Sequence, residues 1–164
     1  MEKIKIEIKW VFIFILMTLL WMGLEKISGL HDQHIDYQMY LTNLYAIPAV
    51  IVFIMALKDK KKNFYHGQMN LKQGFISGLI ITLIVTLFAP LTQWIISYVI
   101  TPEYFPNVIK RSVEIGYYKT TEEAEANFNY KNYAIGSTIA SFVMGTLTSL
   151  VVAFFLKSKK SDSL

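Results

Sequence analysis

The sequence predicts an all-α integral membrane protein whose four long helices cross the bilayer as a four-helix bundle. Hydrophobic residues make up 54% of the 164 residues and concentrate in four long stretches that polar segments separate. Only hydrogen-bonded helices and closed barrels cross hydrocarbon, and one helical crossing takes about 20 mainly apolar residues. These stretches and their connections use nearly the whole chain, which predicts a single domain over residues 1–164. The predicted spans are 10–25, 40–57, 75–100 and 133–156.

The first two spans form a hairpin with a short polar connection. Trp10 opens the first span at the level where interfacial aromatic residues lie. At a rise of 1.5 Å per residue, Glu25 lies about 22 Å further along, near the other edge of the hydrocarbon. The second span begins at Tyr40, contains Pro48 and ends where the lysine-rich segment 58–62 begins.

The third span is longer than a straight crossing requires. About 26 residues make roughly 39 Å of helix, whereas the hydrocarbon core is about 30 Å thick. We therefore expect this helix to tilt, to kink at Pro90 or to continue beyond the membrane. Thr101 and Pro102 end it, and the polar region 102–132 leads to the fourth span.

The polar region 102–132 predicts two short amphipathic helices at the membrane surface. The first has an apolar face formed by Phe105, Val108, Ile109 and Val113. Gly116 marks the break between the helices. The second helix begins at a capping box, in which Thr120 and Glu123 have the spacing that satisfies the first backbone N–H groups. Helices of this kind lie in the interface with the apolar face toward the lipid.

Basic residues are distributed unequally between the two sides of the predicted bundle. Four crossings place the N-terminus, the second connection and the tail on one side, and these segments hold eleven of the sixteen basic residues. The eleven are Lys3, Lys5, Lys9, Lys58, Lys60, Lys61, Lys62, Lys72, Lys157, Lys159 and Lys160. The positive-inside rule then places both termini in the cytoplasm and residues 102–132 outside.

The same lysines limit the class of partner. The net charge is +4, yet the lysines lie at span ends rather than in a basic stripe interleaved with aromatic residues, so we expect no nucleic acid partner. Membrane lipid is the expected partner. Contact with anionic lipid is expected at Lys58, Lys60, Lys61 and Lys62.

Small residues recur at four-residue spacing in the third and fourth spans. The positions are Gly74, Gly78 and Thr82 in the third span and Ser141, Gly145 and Ser149 in the fourth. Lipid supplies no hydrophobic drive for helix association, so small residues favour packing by allowing close approach. We predict that the two spans pack through these ladders. A groove lined by the hydroxyl side chains is the alternative, and the ladders are also compatible with a homo-oligomer.

Ionisable residues cluster at the outer end of the first hairpin. The candidates are Glu25, His31, His34 and Asp36. His31 and His34 have a spacing that, with a carboxylate, suits zinc, and the same groups also suit general acid–base chemistry. The structural alternative is a helix end capped by an aspartate, with both histidines solvated. A short His-x-x-His is weak evidence for a metal, so we predict no metal or other cofactor.

Several short segments resemble a known family. They are Trp21-Met22-Gly23-Leu24-Glu25-Lys26, Gly29-Leu30-His31, Thr42-Asn43, Ile47-Pro48, Thr101-Pro102-Glu103-Tyr104-Phe105 and Met144-Gly145-Thr146. In combination they are similar to a bacterial membrane family catalogued as domain of unknown function 4199. The resemblance implies a four-helix protein of the bacterial cytoplasmic membrane, and it implies no activity.

The function expected from the sequence is non-enzymatic. An integral inner-membrane protein that packs or assembles through its small-residue ladders accounts for the pattern. The alternative is a site at the outer leaflet, either a metal-dependent or acid–base lipid-active enzyme or a small carrier, that uses Glu25 with His31 or His34. Glu25 has the strongest claim in that site, because an ionisable residue near hydrocarbon is costly to keep.

Overall fold

The computed structural model describes residues 2–158, and this part of the chain confirms the predicted all-α fold. Its α-helices are α1 (Lys5–Ile27), α2 (Ile35–Leu41), α3 (Ala46–Asn63), α4 (Leu71–Ile95), α5 (Tyr104–Glu114), α6 (Thr121–Asn127) and α7 (Tyr130–Leu156). The 3-10 turns Glu2–Ile4 and Thr42–Tyr45 and the π-helical turn Ile96–Ile100 continue them. Lys159 and Lys160, which the charge argument places in the cytoplasm, lie outside the described residues.

The chain is a multi-pass membrane protein. Four helical segments are long and apolar enough to cross a membrane, namely Lys5–Ile27, Ile35–Asn63, Leu71–Ile100 and Thr121–Leu156. Each is longer than its predicted span because the polar residues at its ends also adopt helix. The first helix, for example, begins at Lys5 rather than Trp10, and this places Glu7 inside it.

The third span is one continuous helical segment, Leu71–Ile100. Its helix passes Pro90 and ends in the π-helical turn Ile96–Ile100. The backbone N–H of Thr101 donates to the Ile96 carbonyl at 2.8 Å and closes that turn. The Pro90 carbonyl accepts a hydrogen bond from the Tyr130 hydroxyl at 3.2 Å, which links the third span to the start of α7.

The four spans run alternately up and down, so the bundle has two distinct ends. The terminal end is formed by residues 2–9, 58–72 and 157–158. The α5 end is formed by residues 25–45 and 95–133. Helices α4 and α7 make the most extensive contact, α1 lies against α3 and α4, and α3 lies against α4 and α7.

The apolar core lies mainly toward the terminal end. Its largest fully buried apolar side chains are Val11, Leu57, Met69 and Ile81. All four spans also expose large apolar side chains, such as Leu16, Met55, Leu87 and Phe155, on their outer faces. In a membrane these faces contact the lipid chains, so their apolar side chains carry no free-energy penalty for exposure.

The connection between the third and fourth spans contains the two predicted short helices. The Thr120 hydroxyl accepts a hydrogen bond from the Glu123 backbone N–H at 3.2 Å and so caps α6, as the sequence predicts. The Glu123 carboxylate accepts from the Lys119 N–H at 3.1 Å, one residue earlier than a standard capping box. Gly116 has a φ of +73°, which explains why the chain breaks there.

Candidate functional site

Glu25 lies at the centre of a buried polar cluster at the α5 end. Its carboxylate accepts a hydrogen bond from the Trp21 indole N–H at 2.5 Å. The other carboxylate oxygen lies 3.1 Å from the Nε2 atom of His31. The side chains of Glu25 and His31 are each only 2% exposed. The pair is therefore enclosed by protein rather than presented to solvent.

A tight turn after α1 brings His31 back to Glu25. The Leu30 N–H donates to the Glu25 carbonyl at 3.0 Å, and the Gly29 N–H donates to the Lys26 carbonyl at 3.0 Å. This is a Schellman motif, which needs a residue in the left-handed region after the helix. Gly29 supplies it with a φ of +79°, and Leu30 is buried beneath the turn. The next residue, His31, consequently faces the end of the helix.

Helix α5 covers the pair from the other side. The Asn107 side-chain amide donates to the His31 carbonyl at 2.9 Å, and the Tyr104 ring centroid lies 5.0 Å from that of the imidazole. The Tyr104 hydroxyl lies 3.1 Å from the Tyr133 hydroxyl of α7. Burial, with smaller contributions from Tyr133 and Glu25, raises the pKa of Tyr104 above its ordinary value. Tyr104 therefore acts as a neutral hydrogen-bonding group.

Two ion pairs at the rim attach the same connection to the first hairpin. Lys26 donates to the Ile100 carbonyl at 2.7 Å and lies 3.0 Å from the Glu103 carboxylate. Burial opposes ionisation of Glu103, but hydrogen bonds from a backbone N–H and from Lys26 outweigh it and lower the pKa of Glu103. Arg111 makes a bidentate pair with Asp36, with N–O distances of 2.8 and 2.7 Å.

The structure divides the four ionisable candidates between different environments. Glu25 and His31 meet in the buried cluster, so the expectation that both histidines are solvated is wrong for His31. His34 is exposed before α2 and makes no capping hydrogen bond. Asp36 is exposed and pairs with Arg111 rather than capping the second span. The two histidines therefore do not form one site.

The structure also answers whether acidic residues of the long connection approach Glu25. Glu103 pairs with Lys26, the residue after Glu25, and not with the Glu25 cluster itself. The Glu123 carboxylate is instead used at the start of α6. Residues 2–158 contain no group of three histidine or acidic side chains placed to hold a metal ion.

A second buried ion pair lies at the terminal end and was not predicted from the sequence. The Glu7 carboxylate lies 2.9 Å from Lys60 Nζ and accepts from the Ser77 hydroxyl at 2.6 Å. The ammonium group of Lys60 also donates to the Lys3 carbonyl at 2.5 Å and lies 3.8 Å above the Phe64 ring. This cluster joins α1, α3 and α4.

Two side chains of the lysine-rich segment, for which we expect lipid contact, are used within the chain. Lys60 is paired with Glu7 inside the bundle, and Lys61 donates to the Leu156 carbonyl at 2.8 Å. Both side chains are thus occupied by intramolecular contacts. Lys58 and Lys62 remain exposed.

The small-residue ladders face each other across α4 and α7. A Cβ atom added to Gly78 would lie 2.6 Å from the Ser149 side chain, and one added to Gly145 would lie 2.7 Å from Thr82. Gly74 likewise meets Ala153. The Thr82 and Ser149 hydroxyls are 3.3 Å apart. Ser141 is half-buried, further toward the α5 end.

A family model described as a protein of unknown function (DUF4199) matches residues 9–158. The chain belongs to this family. Its match begins just after Glu7 and includes Glu25, His31 and the whole long connection. No curated protein and no solved structure matches the chain. Membership in DUF4199 thus agrees with the resemblance found in the sequence and adds no chemistry to the buried clusters.

Proposed function

We propose that this DUF4199 protein is a non-enzymatic component of a bacterial cytoplasmic membrane. The observation that carries the proposal is the enclosure of Glu25 and His31, whose side chains are each 2% exposed. A catalytic pair must reach its substrate within hydrogen-bond distance. Here the two oxygens of the Glu25 carboxylate contact Trp21 and His31, and these hydrogen bonds hold α1 to the turn that follows it. The cluster therefore acts as a latch between the first hairpin and α5.

A covalent substitute for the latch tests this proposal. The chain has no cysteine, so His31→Cys with Asn107→Cys introduces one cysteine on each side of the contact. The single His31→Cys variant should lose hydrogen-exchange protection in α5, and oxidation of the double variant should restore it. The single variant should fail to complement a deletion strain, and the oxidised double variant should complement it. Restored protection with persistent failure to complement would show that the imidazole itself is required, and this would contradict a purely structural role.

The proposed orientation places both termini in the cytoplasm and the α5 end outside. The eleven basic residues assigned to the terminal end support it through the positive-inside rule. Fusions of an enzyme that is active only outside test it, one placed after Leu164 and one between α5 and α6. We expect activity from the second fusion alone. Activity from the first would overturn the orientation.

The assembly part of the proposal concerns other surfaces than the ladders. Gly78, Gly145, Thr82 and Ser149 are used within one chain, so a homo-oligomer would form through the lipid-facing sides of the spans. Lys58 and Lys62 are the exposed cations that support contact with anionic lipid. Native mass spectrometry from mild detergent distinguishes a monomer from an oligomer and detects retained lipid.

A second candidate function is acid–base chemistry at His31. The Nδ1 atom of His31 is buried and has no hydrogen-bond partner within residues 2–158, which is uncommon for a buried polar atom. Such an atom is available to a proton or to a small ligand. Nitrogen-15 NMR of the labelled histidines between about pH 5 and 8 tests this candidate. A titrating His31 ring whose midpoint moves in Glu25→Gln favours it, and a ring that does not titrate contradicts it.

A further inference from the structure

A groove of about 720 Å³ opens at the α5 end between α5, α6 and the start of α7. Its apolar floor includes Tyr98, Phe105, Phe128 and Tyr130. Its charged rim is formed by Lys110, Glu114 and Glu125. The groove thus combines an aromatic floor with both signs of charge, which is the arrangement that an amphiphilic ligand requires.

The floor of the groove lies at the level of the membrane interface. Tyr98 belongs to the last turn of the third span, and its ring lies between those of Trp94 and Tyr130 in tilted contacts, with centroid distances of 5.9 and 5.6 Å. Tryptophan and tyrosine mark the boundary between hydrocarbon and headgroups. Below the floor, Leu87 and Leu91 expose apolar surface on α4. A lipid whose headgroup occupies the groove therefore has an apolar path for its acyl chains.

The charged side chains of the rim are exposed, and their mutual contacts are long. Lys110 and Glu114 are 3.9 Å apart, and the Glu114 carboxylate also lies 3.5 Å from Arg111 Nη1, so its oxygens keep room for a closer partner. Glu125 is also exposed and makes no ion pair within residues 2–158. One cation and two carboxylates around an aromatic floor match a headgroup that has one phosphate and one amine. The amine is stabilised by ion pairs with the carboxylates and by cation–π contact with the aromatic rings, and the phosphate is stabilised by an ion pair with Lys110.

We propose that this groove binds a phospholipid with an amine-bearing zwitterionic headgroup, from the membrane leaflet on the α5 side. The ammonium group lies between Glu114 and Glu125, and the phosphate lies against Lys110. An anionic headgroup without an amine meets one cation and two repelling carboxylates, so the groove discriminates against it. This inference is independent of the proposed non-enzymatic role, since it concerns neither Glu25 nor His31.

Native mass spectrometry of the full chain tests the proposal. The protein is purified in mild detergent and titrated with phosphatidylethanolamine or phosphatidylglycerol of identical acyl chains. We expect phosphatidylethanolamine to bind more tightly to the wild type. Glu125→Gln should weaken its binding about two- to fivefold, the range that one partly exposed ion pair supplies, and should leave phosphatidylglycerol unaffected or bound more tightly. Glu122→Gln is the matched control on α6, because it is exposed and does not line the groove.

Three results would overturn the proposal. The first is equal affinity of the wild type for the two lipids, and the second is an unchanged lipid preference in Glu125→Gln. The third is full competition by glycerophosphoethanolamine, which lacks acyl chains, because it would identify a soluble zwitterion as the occupant. Circular dichroism of each variant verifies that the helices are retained.

Discussion

The two ends of the bundle each bury one carboxylate of α1, but they complete its environment in different ways. At the terminal end, Glu7 is paired with Lys60 and accepts from Ser77, beside the apolar core. At the α5 end, Glu25 is paired with a histidine, and one nitrogen of that histidine has no partner within the described chain. The terminal end is thus built as a fully paired anchor of three spans. The α5 end is a latch whose polar groups are not all satisfied.

This contrast indicates which end of the bundle is more stable and which end opens more easily. The latch holds mainly a turn and the short helix α5, which contribute little to the apolar core. Local opening requires less free energy where few apolar contacts are lost. We therefore expect opening at the α5 end before the spans separate.

The largest expected effect is at the terminal end. Lys60→Met leaves Glu7 buried without its counter-ion, and breaking a buried pair from one side typically costs about 3–5 kcal/mol. Thermal unfolding in detergent measures the loss. Lys58→Met is the matched control, because Lys58 is exposed on the same helix. Equal midpoints for the two variants would remove the distinction between an anchor and a surface lysine.

The next largest effect is expected from a substitution in the small-residue ladder. It tests whether the contact between α4 and α7 contributes to the stability of the bundle. Gly78→Leu overpacks the contact with Ser149, and overpacking costs about 1–3 kcal/mol. Gly136→Leu is the control, since a Cβ atom there meets nothing within 4 Å. The unfolding midpoint should fall for Gly78→Leu alone. Similar behaviour of both variants would indicate that the two helices separate without cost.

A smaller loss is expected from Glu25→Ala at the latch. The substitution removes the hydrogen-bond partner of Trp21 and His31 and leaves two polar groups unpaired, a loss of about 1–3 kcal/mol in general. We expect the lower part of that range, because local opening readmits water. Hydrogen exchange should increase in α5 and less in α3. Glu25→Gln, which keeps a side-chain acceptor, should be milder, and a uniform increase along the chain would contradict a local latch.

The smallest expected effect is the loss of stability when the pH is lowered. Glu103 has a pKa below its ordinary value of 4.5, so its pair with Lys26 stabilises the fold above that pH and the contribution is lost as pH falls through the lowered pKa. Both side chains are about 40% exposed, so screening limits the effect to less than about 1 kcal/mol. The difference in midpoint between wild type and Lys26→Gln should shrink between about pH 6 and 3 and in high salt. A difference independent of both would contradict ion pairing.

Features that depend on local pattern were predictable from the sequence. The four spans follow from the apolar stretches, and the start of α6 follows from Thr120. The tertiary partners were not predictable, because the pairing of Glu7 with Lys60 joins residues that are 53 positions apart. A signal was nevertheless present, since Glu7 shares a helix face with Trp10 and Val11. Glu25 lies on that face too, about five turns later at 3.6 residues per turn.

The burial of His31 illustrates a different limit. Its side chain is enclosed only because the Gly29 turn reverses the chain and α5 then covers it. Sequence spacing suggested a link to His34, three residues away. The actual neighbours, Tyr104 and Asn107, come from a connection more than seventy residues further along the chain. A turn and a distant helix must both be placed before such an environment is visible.

The π-helical turn Ile96–Ile100 determines where Glu103 and Tyr104 lie relative to Lys26 and His31. A π turn is geometrically an α-helix that has accommodated one additional residue. Deleting Val99, which is exposed, would return this turn to α-helix. The chain beyond it would rotate by roughly 100° and move by about 1.5 Å. Glu103 and Tyr104 would then move away from Lys26 and His31. The deletion of a single residue would therefore separate α5 from the first hairpin.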